Sequence, residues 1–157
     1  MTASSNAQSY TSIAKISSSG NSSTTIAITN ITFTGTITST IYNANYGLTT
    51  SYYTRGLIGI TSSRYNASSS APSFIPTTGY IDCFAYANGV KPTNVTNTIT
   101  NPSKSVTSNL TIGTTYYITY GIAPSTYAGS THTTTFSGSF VITFTISSDQ
   151  NISITSV

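Results

Sequence analysis

The most unusual property of the sequence is the charge that it lacks. Only five of its 157 residues are Lys or Arg, two are Asp, and Glu does not occur. In a typical globular protein about a quarter of the residues are charged. Here 28 Ser and 33 Thr residues supply most of the polar surface instead. Because acid denatures proteins mainly by protonating native carboxylates, we expect the stability of this fold to vary little with pH.

Scarce charge and short apolar runs exclude two classes of partner. The basic residues are scattered, and a net charge of +3 would release few counterions from a nucleic acid. We therefore expect no nucleic-acid partner. No stretch approaches the roughly 20 consecutive apolar residues that cross a bilayer, so we expect no transmembrane segment. The most apolar runs, Gly56 to Ile60 and Phe140 to Phe144, have the length of strands.

Side chains that carry chemistry are too few for a recognisable site. The only pair of carboxylates is Asp82 and Asp149, and we interpret the first as an ion-pair partner and the second as a turn residue. One His, one Cys and two Asp do not match a zinc or calcium pattern. A phosphate-binding loop and a serine nucleophile elbow are also missing. The sequence thus predicts no enzyme, with no catalytic, cofactor-binding or metal residues and no cofactor.

Three single features add to this picture. Cys83 is the only cysteine, so no intramolecular disulfide can form, and we predict a buried thiol. His132 lies in a run of Ser and Thr, where we expect it to be exposed. The residues after Met1 lack the basic and apolar regions of a secretory signal, which predicts that the chain does not use the general secretory route.

The residues that are abundant favour strands. The chain has 19 Ile, 12 Tyr and 6 Phe, whereas the helix formers Leu and Lys occur three times each. Ile26 and Ile28 share one parity and Ile31 and Phe33 share the other, which predicts a bulge near Thr29. Alternation of this kind recurs with turns every 8 to 12 residues or so. We predict an all-β fold, a two-sheet β-sandwich of about eight strands with almost no helix.

Two local patterns set expectations for single strands. Phe136, Phe140, Ile142 and Phe144 alternate with small polar residues, and a polar turn then leads to Ile152 and Ile154. This predicts a long strand followed by a hairpin. Pro92 restricts the strand after it to the edge of a sheet, because proline cannot donate a backbone hydrogen bond.

The domain organisation predicted from composition is an arm and one domain. Residues 1–23 are rich in Ser and Asn, with only Ile13 and Ile16 as aliphatic anchors. We expect them to form an extended N-terminal arm that is ordered by neighbouring subunits. Residues 24–157 are predicted to form the β-sandwich domain.

Six sequons for N-glycosylation occur in the chain. With 61 Ser and Thr residues among 157, about five of the twelve Asn residues would form sequons by chance, so their number is no enrichment. Glycosylation stays open at Asn21, Asn30, Asn66, Asn94, Asn109 and Asn151.

In composition and strand count, the chain resembles the single-jelly-roll capsid proteins of icosahedral viruses. Its bias towards Ile, Tyr, Asn, Ser and Thr is similar to that of virion proteins from viruses of thermoacidophilic archaea. The resemblance implies a jelly roll of two four-stranded sheets. It also implies a capsid subunit, located in the virion, that forms an acid- and heat-resistant shell with copies of itself and other virion proteins.

Two alternatives remain open. One is an extracellular filament or surface-layer subunit that polymerises by strand donation, with residues 1–23 or Ile152 to Val157 as donors. The other is a carbohydrate-binding or fibre-tip module in which the pairs Tyr52-Tyr53 and Tyr116-Tyr117 stack on sugars.

Overall fold

The computed structural model describes residues 2–5, 8–20, 26–42, 51–88, 94–124, 131–145 and 151–157. Within these ranges the regular structure is entirely β, in ten strands. The strands are β1 (Thr2–Ser5), β2 (Ser9–Ser19), β3 (Ile26–Tyr42), β4 (Ser51–Thr61), β5 (Tyr80–Asn88), β6 (Asn94–Thr100), β7 (Ser103–Leu110), β8 (Tyr116–Pro124), β9 (Thr131–Thr145) and β10 (Asn151–Ser156).

The strands form two antiparallel sheets that pack face to face. Sheet A has the order β1-β9-β3-β6, and β7 also pairs with β3, beyond the end of β6. Sheet B has the order β10-β2-β8-β4-β5. Side chains meet between the sheets, since the Ser39 hydroxyl on β3 donates to the carbonyl oxygen of Cys83 on β5 at 3.2 Å. The predicted all-β, two-sheet sandwich is confirmed.

The core lies between the sheets and follows the period-two pattern of the sequence. Ile28, Ile31, Phe33 and Ile37 on β3 are all fully buried. The pairing of β3 with both β7 and β9 shifts between Ile28 and Asn30. The extra residue is what allows isoleucines of opposite parity to face the same core, so the predicted bulge is confirmed.

The N-terminal segment differs from the predicted arm. β2 is an interior strand of sheet B, paired with β10 on one side and β8 on the other. Its Tyr10 and Ile16 are buried, and β1 pairs with the start of β9. The prediction of a separate arm over residues 1–23 is therefore wrong for the described part. A few apolar anchors are enough because Ser and Thr suit a strand whose backbone bonds both neighbours.

The predicted C-terminal hairpin is also wrong. β9 lies in sheet A, whereas β10 pairs with β2 in sheet B, so the chain crosses between the sheets after β9. β10 buries Ile152 partly against the core. Pro92 itself lies outside the described residues. The strand that follows it, β6, lies at the edge of sheet A as expected, since β3 is its one partner among the described strands.

Cys83 lies on the inner side of β5 and is fully buried, as predicted. Its thiol donates to the carbonyl oxygen of Ile37 at 3.2 Å, and burial raises the pKa of the thiol. We expect iodoacetamide to label the native protein roughly a thousandfold more slowly than the urea-unfolded chain, because the core must open first. Mass spectrometry of timed samples measures this ratio, and comparable rates would contradict the burial.

Candidate functional site

The chemically richest surface is the outer face of sheet B where β4 and β5 pair. Side chains of a strand alternate between its two faces, so odd-numbered residues of β4 and even-numbered residues of β5 point outward here. The register sets Tyr53 opposite Tyr86, and Arg55 opposite Phe84. We name this surface the aromatic–arginine face, made of Tyr53, Arg55, Tyr80, Asp82, Phe84 and Tyr86.

Three aromatic rings of this face cluster together in contact with solvent. The ring of Phe84 stacks on those of Tyr53 and Tyr86, with centroids 5.5 and 5.9 Å away and interplanar angles of 24° and 17°. The three side chains are 38% (Tyr53), 39% (Phe84) and 47% (Tyr86) exposed. Contiguous exposed apolar surface is uncommon on monomeric proteins and is typical of interaction surfaces.

An ion pair between Arg55 and Asp82 lies on the same face as the three rings. Arg55 donates from Nη2 to Oδ2 of Asp82 at 2.6 Å and from Nε to the same oxygen at 3.1 Å. Its Nη2 also donates to the hydroxyl of Tyr80 at 3.0 Å. The hydrogen bonds to Asp82 raise the pKa of the Arg55 guanidinium above its ordinary value. This confirms the interpretation of Asp82 as an ion-pair partner, and about a third of each side chain stays exposed.

Beside the ion pair lies a hollow of about 260 Å³. Its walls include Tyr53, Arg55 and Tyr80 of β4 and β5, together with Tyr10 and Phe74. Phe74 stands in the long connection between β4 and β5, and its ring packs against that of Tyr80 with centroids 5.1 Å apart. The lining of the hollow therefore combines aromatic rings with the charged Arg55.

The connection that forms this wall is held to sheet B by hydrogen bonds. The backbone of Tyr10 exchanges bonds with that of Ser68 at 2.9 and 3.0 Å. Under the connection, the hydroxyl of Thr119 lies 2.9 Å from that of Ser12 and 2.8 Å from that of Thr61. Buried hydroxyls that satisfy one another in this way fix the position of the wall.

A second surface is the outer edge of sheet A. β1 covers β9 only from His132 to Thr135. Among the described strands, none pairs with residues 137–145 on the side away from β3. Phe140, Ile142 and Phe144 are half-buried there, and Val141 is 51% exposed on the outer face. Within the described part of the chain, this length of β9 is a free hydrogen-bonding edge.

His132 is not the exposed histidine that the sequence predicts. It is fully buried on the inner face of β9, opposite Ile41 of β3. Among the described residues neither Nδ1 nor Nε2 has a hydrogen-bond partner, and desolvation lowers the pKa of the imidazole. The Ser and Thr residues around it had suggested a loop, but they belong to a strand whose alternate residues face the core.

The sequons fall into different environments. Asn66, Asn109 and Asn151 are exposed. Asn30 is half-buried at the bulge of β3, where its Nδ2 donates to the hydroxyl of Thr32 at 3.0 Å. Asn94 begins β6, and Asn21 lies outside the described residues.

Of the tyrosine pairs proposed as sugar platforms, Tyr116-Tyr117 is divided between two faces. Neighbours on a strand point to opposite faces, so Tyr116 is buried in the core while Tyr117 is not. The side chain of Tyr52 lies outside the described part of the chain, and Tyr53 stacks on Phe84 of the next strand. Sequence reasoning missed this because the pairing of β4 with β5 crosses a long connection. The signal present in the sequence was the outward parity of Tyr80, Asp82, Phe84 and Tyr86.

Metal sites and membrane-spanning helices are two further classes of feature. In the described residues, groups of three or more His, Cys, Asp or Glu side chains that could hold a metal ion do not occur. Nor does that part of the chain contain a helix that is long and apolar enough to cross a membrane. Comparison of the chain with family models, with curated proteins and with solved structures found no match.

Proposed function

We propose that this protein is a structural coat subunit, which assembles with copies of itself into the outer shell of a virion. The observation that carries this proposal is the edge of β9 over residues 137–145, which no other described strand covers on the side away from β3. A free edge presents unpaired backbone donors and acceptors, and another strand satisfies them by adding to the sheet.

The sequence of this edge lacks the charge and proline that commonly block such pairing. Monomeric β-proteins protect an edge with Lys, Pro or inward-pointing charge. From residue 131 to residue 145 the chain contains no Lys, Arg, Asp, Glu or Pro. An uncharged edge of nine residues therefore favours association with another strand.

A second copy of β9 is the strand that fits this edge best. Two copies can lie antiparallel about a two-fold axis, so that each edge satisfies the other through the same residues. The half-buried Phe140 and Phe144 would lose further exposure to water in such a pair. Like-charge repulsion between the two edges would be absent, since neither carries an ionised side chain.

The winding of the chain supports the same proposal. β1 pairs with β9, β2 with β8, β3 with β6 and β7, and β4 with β5, alternately in sheets A and B. Such nested antiparallel pairing follows when one long hairpin wraps around itself, which is the winding of a jelly roll. We propose that the sandwich is a jelly roll, with β10 added at the edge of sheet B. Jelly rolls are common in viral capsids.

Assembly of edge variants tests the proposal. We expect the purified protein to form large particles, measured by light scattering and electron microscopy. The double variant Val141→Lys/Thr143→Lys should stay monomeric, because two charges on each edge repel across the pair. Thr34→Lys is the matched control, since it adds charge to the same face of sheet A on the interior strand β3. It should assemble as the parent does.

The form of the particles distinguishes the alternatives. Closed shells that the edge variant abolishes would support a coat subunit. Filaments lost in the same variant would favour the extracellular or surface-layer subunit, because a free edge also accepts a donated strand. Assembly that is equal in the parent and the edge variant would exclude this edge as the interface, and a monomeric parent would overturn the proposal.

A further inference from the structure

We infer that the aromatic–arginine face is a binding site for a neutral oligosaccharide. This goes beyond the proposed coat function and uses a different surface, because the face lies on sheet B and the free edge lies on sheet A. A coat subunit with such a site would attach to glycans.

The three clustered rings supply the apolar half of sugar recognition. A pyranose has a face of C–H groups that packs on an aromatic ring, and that contact removes apolar surface from water on both sides. Phe84 stacks on both of the other rings, each within 6 Å. A cluster of three rings offers more than one ring for contact with an oligosaccharide.

The ion pair supplies the polar half. A sugar hydroxyl both donates and accepts, so neighbouring hydroxyls can donate to Asp82 and accept from Arg55 in the same site. The two side chains are already held in one orientation by their mutual bonds at 2.6 and 3.1 Å. A site that is ordered before binding loses less conformational entropy when the ligand arrives.

The state of Arg55 indicates a neutral ligand. Asp82 neutralises the guanidinium, and the Tyr80 hydroxyl accepts another of its hydrogen bonds. An anionic ligand would have to displace Asp82 or lie close to its carboxylate, which costs electrostatic energy. The hollow of about 260 Å³ beside the pair is lined by Tyr53, Tyr80 and Phe74 and gives one sugar ring a place to enter.

Titration with defined sugars tests this inference. The probes are chitotriose, maltotriose, cellotriose and mannotriose, with sialyllactose as the charged comparison, each titrated into the whole protein and followed by NMR. We expect saturable binding of at least one neutral trisaccharide. Phe84→Ala should weaken it about tenfold or more, which corresponds to about 1.4 kcal/mol. Ile154→Ala is the control, because it removes an exposed apolar side chain from the opposite edge of sheet B.

Asp82→Asn gives an independent readout of the polar half. The amide keeps one acceptor oxygen but loses the ion pair, so we expect neutral sugars to bind more weakly and sialyllactose to gain affinity. Three outcomes would overturn the inference: no saturable signal from any neutral trisaccharide, an affinity unaffected by Phe84→Ala, or a preference of the parent for sialyllactose. None of these outcomes bears on assembly, which the edge variant tests separately.

Discussion

Replacing Gly138 with Ala should lower the free energy of unfolding by about 3 kcal/mol or more. Gly138 on β9 lies directly opposite Gly35 on β3, and both have positive φ angles, of 149° and 136°. A Cβ atom added at Gly138 would lie 2.0 Å from the carbonyl oxygen of Thr34. The neighbouring atom is backbone, so it cannot rotate away. For a chain of this length the loss corresponds to a fall in Tm of roughly 6–12 °C.

Gly113→Ala separates the two causes of this loss. Gly113 also has a positive φ, of 78°, but an added Cβ atom there would meet nothing within 4 Å. Gly113→Ala therefore introduces backbone strain without a clash. We expect this strain to lower the free energy of unfolding by about 1–2 kcal/mol. Thermal unfolding followed by circular dichroism measures both variants. If both variants lost the same free energy of unfolding, the clash between β3 and β9 would not explain the effect of Gly138→Ala.

Acid should destabilise the fold through His132. Unfolding exposes the imidazole to water, where its pKa is about 6.5. In the folded protein, burial lowers that pKa. The unfolded chain therefore binds more protons than the folded chain below about pH 6.5, and the free energy of unfolding falls as the pH drops towards the folded pKa. The scarcity of carboxylates predicts little variation with pH, and the buried His132 adds a dependence that the number of carboxylates does not contain.

His132→Leu should remove this dependence and stabilise the protein. The two ring nitrogens are buried, and no residue in the described ranges forms a hydrogen bond with them. An unsatisfied buried polar group costs about 1–3 kcal/mol, and an apolar side chain of similar size avoids that cost. Urea unfolding at pH 7.5 and pH 5 measures both effects. We expect the variant to be more stable at each pH, with a smaller difference between them, whereas an unchanged difference would assign the acid sensitivity to other groups.

Local pattern alone determined much of the fold. The supply of Ile, Tyr, Phe and Thr with little Leu and no Glu dictates strands. The change of parity between Ile28 and Ile31 located the bulge of β3, because only one face of a strand can meet the core. Asp82 could be assigned to an ion pair, since its strand position and the few charges of the chain left little else. Cys83 was expected in the core because a free cysteine behaves as a small apolar side chain, and it is fully buried.

Only the tertiary structure decided which strands meet. β2 became an interior strand, although residues 1–23 hold few apolar anchors, because β8 and β10 supply its neighbours from the far end of the chain. β10 pairs with β2 and not with β9. His132 is buried because the pairing of β9 with β3 directs it towards the core. The aromatic–arginine face arises where β5 returns beside β4 after the long connection. Pairing between distant segments depends on the packing of the whole sandwich, whereas alternation along a strand records only which residues share a face.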